Sequence, residues 1–226
     1  MKLFRMALLG ALTVILAPLA QAAQTWTEGT NYSVISPAQH TSVPAGKVEV
    51  MEVFSYGCPA CNSFQPVITA LEHNLPANAQ MVFLPASFKP EEDWAMLQRA
   101  YFSAQALGIS ARTHQAIFDA VWKTGELAIV DQATGRLKSP QPSIEDAAKC
   151  YERLIGVKHD VFLATAHSFN IDLKMKSADA QILAMRVPGT PCIVVNGKYM
   201  VNLDSMHSPE DVIGVVRYLV EKESQH

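Results

Sequence analysis

Cys58 and Cys61 are separated by two residues, directly after the apolar run Val50-Met51-Glu52-Val53-Phe54 and directly before a helical pattern. Cysteines three positions apart in the first turn of a helix lie close enough to close and reopen a disulfide, so the pair reads as a site of dithiol/disulfide exchange. Covalent haem attachment needs a histidine immediately after the second cysteine, and that position is Asn62. A structural zinc site needs four ligands, usually in two closely spaced pairs. The remaining cysteines, Cys150 and Cys192, are far apart, and no histidine pair has ligand spacing. No metal or cofactor is therefore expected. An inert disulfide is the plain alternative, but bridging so short a loop removes little entropy from the unfolded chain and does little for stability.

Cys58 is the expected nucleophile. At a helix start the unpaired backbone N–H groups and the dipole favour a thiolate. Pro59 has no N–H to give, which leaves the amides of Ala60 and Cys61 as donors. The helix terminus contributes at most about 2 kcal/mol, or roughly 1.5 units at about 1.36 kcal/mol per unit. Amide hydrogen bonds supply the rest, for a Cys58 pKa of roughly 5 to 6. Cys61 is then the more buried, resolving thiol.

Glu52 lies inside the apolar strand and is expected to point into the protein beneath the helix. A carboxylate there is costly unless paired or protonated. An edge-exposed Glu52 on a misread strand is the alternative.

The elements that hold these residues follow from periodicity. Lys47 to Phe54 is apolar on both faces and reads as a buried central strand. The next helix carries Phe64, Val67, Ile68, Leu71 and Leu75 inward, with Pro66 expected to kink it. Gln80 to Leu84 reads as a second strand. From Pro90 the chain turns helical: a helix starting at Pro90 with Trp94, Leu97, Tyr101 and Ala104 inward, and another with His114, Ile117, Phe118, Val121 and Trp122. Further helices are expected near Ile144–Leu154, Asp160–Phe169 and Ser177–Arg186. His114 and His167 read as helix-surface or boundary residues. Asn196-Gly197 between two apolar runs signals a hairpin with a type I′ turn. Ser208-Pro209-Glu210-Asp211 caps a last helix with Val212, Val215, Val216 and Leu219 inward.

The order is strand, helix, strand, a block of helices, then hairpin and helix. It fits an α/β unit interrupted by an all-helical insertion.

Lys2 and Arg5, the apolar span Met6 to Leu19, and Ala20-Gln21-Ala22 form a secretory signal over residues 1–22, so the mature chain is expected to begin at Ala23. Export places the cysteines in an oxidising compartment. The net charge of −3 over 226 residues gives no basic patch, so neither nucleic acid nor an anionic membrane surface is expected as partner.

Glu52-Val53-Phe54-Ser55-Tyr56-Gly57-Cys58-Pro59-Ala60-Cys61, the helical insertion, and Gly189-Thr190-Pro191 leading into Val195-Asn196-Gly197-Lys198-Tyr199 together resemble the DsbA family of periplasmic thiol:disulfide oxidoreductases. The resemblance runs through essentially the whole mature chain. It implies a thioredoxin-like fold with the insertion at 89–177, between thioredoxin-like parts at 23–88 and 178–226. It also implies a periplasmic monomer that donates a Cys58–Cys61 disulfide to unfolded exported polypeptides with free thiols, and a membrane quinone-coupled, DsbB-like partner that reoxidises it. Glu52 would exchange a proton with Cys61. Thr190-Pro191 would be the cis-proline loop facing the cysteines, and Pro59, Ala60, Thr190 and Pro191 would contact substrate.

Two residues depart from the family pattern. Ala60 stands where the best-known dipeptide is Pro-His, and Thr190 is nearer to the isomerase branch. A disulfide isomerase or reductase is thus the second reading, and a peptide-binding chaperone module with an inert disulfide the third. Cys150 and Cys192 read as buried free thiols; a second disulfide between insertion and core is the alternative.

Overall fold

Strand β2, Val48–Phe54, is buried at all seven positions, as an uninterrupted apolar run in the middle of a sheet requires. In a computed structural model, which describes residues 25–131 and 133–225, β2 is the hub of a five-stranded sheet in the order β1 (Tyr32–Val34), β5 (Tyr199–Val201), β4 (Cys192–Val195), β2, β3 (Ala79–Pro85). It pairs in parallel with β3, Ala79–Pro85, and antiparallel with β4, Cys192–Val195. The expected signal segment lies outside the described residues.

The β2–β3 crossover is helix α1, Pro59–Asn74, which carries Pro66 within it. The hairpin follows the turn chemistry: Asn196 and Gly197 have φ of 53° and 61°, and the turn joins β4 to β5, Tyr199–Val201. Tyr32–Val34 forms β1 and pairs with β5. That strand was not expected, since three residues carry no readable period.

Side chains alternate across the sheet. Val48, Val50, Ile193 and Val195 join α1, through Ile68 and Leu71, to α7, Pro209–Ser224, through Val212, Val215, Val216 and Leu219. Ser208 Oγ accepts the Asp211 N–H at 3.2 Å at the start of α7. Met51, Val53 and Val194 belong to the other core cluster, which extends through the helices between β3 and β4.

Those helices are α2, Trp94–Ala106, α3, Ser110–Trp122, α4, Ile144–Ile155, α5, His159–Ala166, and α6, Phe169–Met185. Two boundaries differ from expectation. Pro90–Glu92 is a separate 3-10 turn, and Asp93 breaks the run with φ 44°, its carboxylate accepting the Met96 N–H at 3.2 Å. A residue serving as N-cap does not itself adopt helical angles, so α2 starts at Trp94. The last helix of the block begins at Phe169 instead of Ser177, with Ser168 O accepting from Ile171 N–H at 3.0 Å. It therefore runs unbroken through residue 177.

Candidate functional site

The turn Ser55–Cys58 delivers the cysteines from the end of β2 to the start of α1. The Cys58 N–H bonds the Ser55 carbonyl at 3.1 Å and the Gly57 N–H bonds Ser55 Oγ at 3.1 Å. Cys58 is the N-cap of α1, with extended angles and Pro59 at the first helical position. That is the place where proline's missing donor is harmless. Pro59 and Ala60 are exposed.

All four cysteines are free thiols. Cys58 Sγ accepts the Cys61 N–H at 3.3 Å, and the Cys58 thiol reaches the Thr190 carbonyl at 3.4 Å. The Cys61 thiol, the Thr190 side chain and the amides of Cys61 and Ala60 stabilise the thiolate against the cost of burial. The balance lowers the Cys58 pKa to about 6. Cys61 is 0% exposed, and burial, followed by the neighbouring Cys58, pushes its thiol far above the ordinary range. The two sulfurs therefore differ sharply: one ionises readily, and the other holds its proton.

On the alternation of β2, Glu52 shares the face of Val48 and Val50, under α1. It is 0% exposed, and neither carboxyl oxygen has a hydrogen-bond partner. Burial, and then the charge at Cys58, raise its pKa well above the usual carboxyl range. The edge-exposed alternative is excluded by this burial.

Thr190-Pro191 is a cis peptide, half-buried and opposite Cys58. A cleft of about 600 Å³ opens beside the sulfur, between the Thr190 loop and the helices, with Phe88, Trp94, Trp122 and Val130 on its wall. Trp94 closes down on Gly57, where a Cβ would meet the indole nitrogen at 2.6 Å. The Trp94 N–H donates to Glu92 at 2.9 Å. Residue type alone does not disclose these contacts, and the glycine directly before Cys58 is their one sequence signal.

His114 is not a surface residue. Its ring packs in an aromatic cage with Phe54 at 4.9 Å and Phe83 at 4.5 Å. Its Nδ1 lies 3.0 Å from the Tyr56 hydroxyl. Burial lowers its pKa to about 4, so the imidazole is uncharged at pH 7, and one proton is shared between Nδ1 and the Tyr56 hydroxyl. His167 is exposed at the end of α5. Cys150 and Cys192 are buried, and burial pushes them up to about 11 and about 12.

Residues 49–214 match a described family, the DSBA-like thioredoxin domain. The thiol:disulfide interchange protein DsbA of Pseudomonas aeruginosa is 33% identical over 205 residues, covering 91% of this chain and 89% of that protein. Its namesake in Azotobacter vinelandii is 32% identical over 223 residues, covering 93% and 97%. The crystal structure of the oxidoreductase DsbA from Xylella fastidiosa superposes with a TM-score of 0.74 at 31% identity, over 87% of this chain and 96% of that one.

Proposed function

The chain belongs to the DsbA-like thioredoxin family and is a thiol:disulfide oxidoreductase, and from that premise we propose that it is an exported oxidase working through Cys58 and Cys61. A substrate thiolate attacks Cys58 Sγ of the Cys58–Cys61 disulfide. The S–S bond breaks, a mixed disulfide forms on Cys58, and Cys61 leaves with the electron pair and takes up a proton. Glu52, buried beneath α1 with its pKa raised, is the donor for that proton. A second substrate thiolate then attacks the substrate sulfur and expels Cys58 as its thiolate. The substrate has lost two electrons to the Cys58–Cys61 pair.

The observation that carries this reading is Cys58 at the N-cap of α1, its Sγ accepting the Cys61 N–H at 3.3 Å, an arrangement that lowers its pKa to about 6. A stable thiolate is a good leaving group, and it favours the reduced enzyme over the disulfide. The Thr190 loop accepts an extended substrate segment by strand addition, through backbone bonds that ignore sequence. The apolar cleft receives a neighbouring side chain, and Pro59, Ala60 and Pro191 frame the sulfur.

The substrates are unfolded exported polypeptides with free thiols, met in the periplasm after removal of residues 1–22. Reoxidation falls to a quinone-coupled membrane partner, DsbB-like in kind. Among the described residues no helix is long and apolar enough to cross a membrane.

The test is the reduction potential of the Cys58–Cys61 couple together with insulin reduction. A potential well on the oxidising side of thioredoxin, with weak insulin reduction, is expected. A thioredoxin-like potential assigns the chain to the reductases, and efficient reshuffling of scrambled disulfides assigns it to the isomerases.

A further inference from the structure

Helix α3 holds the catalytic turn at two points, and both are on Tyr56. The Tyr56 hydroxyl bonds His114 Nδ1 at 3.0 Å, and the Trp122 indole N–H donates to the Tyr56 backbone carbonyl at 2.7 Å. Tyr56 stands two residues before Cys58 and is 1% exposed. Its ring meets Phe54 and Phe118 edge-on at 5.1 and 4.9 Å. One side chain and one carbonyl of the same residue are thus fixed by one helix.

We propose that His114 and Trp122 are positioning residues for Cys58, acting through Tyr56 to hold its sulfur within reach of the Cys61 amide and the Thr190 loop. The inference rests on Cys58 being the nucleophile. The Cys61 N–H reaches Sγ at 3.3 Å, and hydrogen bonds weaken steeply as geometry degrades. Between Tyr56 and Cys58 stands only Gly57, the residue with the greatest backbone freedom, so an unanchored Tyr56 would let the sulfur drift off its donors. The other ionisable groups that act on Cys58, namely Glu52 on β2, Cys61 on α1 and Lys89 before α2, are the same in every variant below. A change in Cys58 therefore reports its position.

The experiment titrates the thiolate absorbance of the reduced full-length mature protein in Tyr56→Phe, His114→Phe and His114→Gln, with folding checked by circular dichroism. Tyr56→Phe removes one oxygen and keeps the ring packing. The Cys58 midpoint is expected to rise by about half a unit to one unit in Tyr56→Phe and His114→Phe, roughly a three- to tenfold loss of thiolate to thiol ratio at fixed pH. His114→Gln, whose amide can accept from the phenol or donate to it, should recover most of the wild-type midpoint. If a Phe variant does not fold, Trp122→Phe, which removes the second tether, is read in the same way.

Folded tether variants with the wild-type midpoint overturn the proposal, as does a His114→Gln midpoint equal to that of His114→Phe. Failure of the underlying reading looks different: either no wild-type thiol titrates below the ordinary cysteine range, or the low titration survives in Cys58→Ala.

Discussion

The Cys58 sulfur lies 3.4 Å from the carbonyl oxygen of Thr190, the last carbonyl before the cis-proline. A protonated thiol donates to that oxygen and occupies it. A thiolate has nothing to donate, so ionisation of Cys58 frees the carbonyl for an incoming backbone N–H. Readiness of the nucleophile and readiness of the strand-pairing edge are thereby one event.

Cys61→Ala should accumulate mixed disulfides with exported proteins, while Cys58→Ala should not. Only Cys58 borders the cleft and ionises near neutrality, and without Cys61 nothing intramolecular releases the adduct. Non-reducing gels of the two variants check this. Equal trapping by both would reverse the roles.

Alkylation of the reduced protein should follow a midpoint near pH 6, matching a Cys58 thiol lowered to about 6. The sign for stability follows from linkage. Between about 6 and the unfolded-chain value of about 8.5, the unfolded state binds more protons, so stability rises with pH across that window. Relative to reduced Cys58→Ala, the reduced wild type should gain stability from pH 6 to pH 8.5 and lose that gain as pH falls through 6. Cys61 is shifted upward and opposes the trend only above its unfolded value. Urea midpoints across this range decide it.

Glu52→Leu should be more stable than wild type and slower in exchange. The raised pKa of Glu52 means that the unfolded chain ionises it above about 4.3 while the fold does not. Wild type then loses about 1.4 kcal/mol per pH unit relative to the variant until the folded carboxyl also ionises. A stability difference that does not widen with pH would show Glu52 charged in the fold. Exchange kinetics unchanged across neutral pH would remove it from the proton transfer.

Gly57→Ala should cost about 1 to 3 kcal/mol, the usual cost of overpacking, because the new methyl meets the Trp94 indole at 2.6 Å and Ile129 at 3.1 Å. Trp94 must turn away and loosen its bond to Glu92, which alters the cleft wall. A red-shifted tryptophan emission with reduced peptide affinity is expected. An unchanged spectrum and stability would mean that the indole yields without consequence.

The parts of the fold legible in sequence are those with local physics. The β2 run, the cysteine pair at a helix start, the Asn-Gly turn and the Ser208 cap each carry their own signal within a few residues. Strand β1 exists only because β5 lies beside it. The start of α6 was hidden because Phe169 and Leu183 are 71% and 78% exposed, which blurs the apolar stripe that periodicity reads.

At the site, Cys58, Cys61 and buried Glu52 could be placed from spacing and alternation, and Thr190-Pro191 from family likeness. His114 could not, because its partner hydroxyl is 58 residues away and a lone histidine on a helix does not announce a cage.

Cys150 and Cys192, buried at 0% and 5% exposure, bear on the enzyme's own safety. A catalyst that trades disulfides is surrounded by the chemistry that scrambles cysteines, and it carries two spare ones. Keeping both protonated and out of reach makes the folded molecule deaf to its own reaction. That immunity belongs to the fold and not to the sequence. An unfolded copy with four open thiols is as good a target as any substrate thiol, so the enzyme must finish folding before it meets an oxidised sibling.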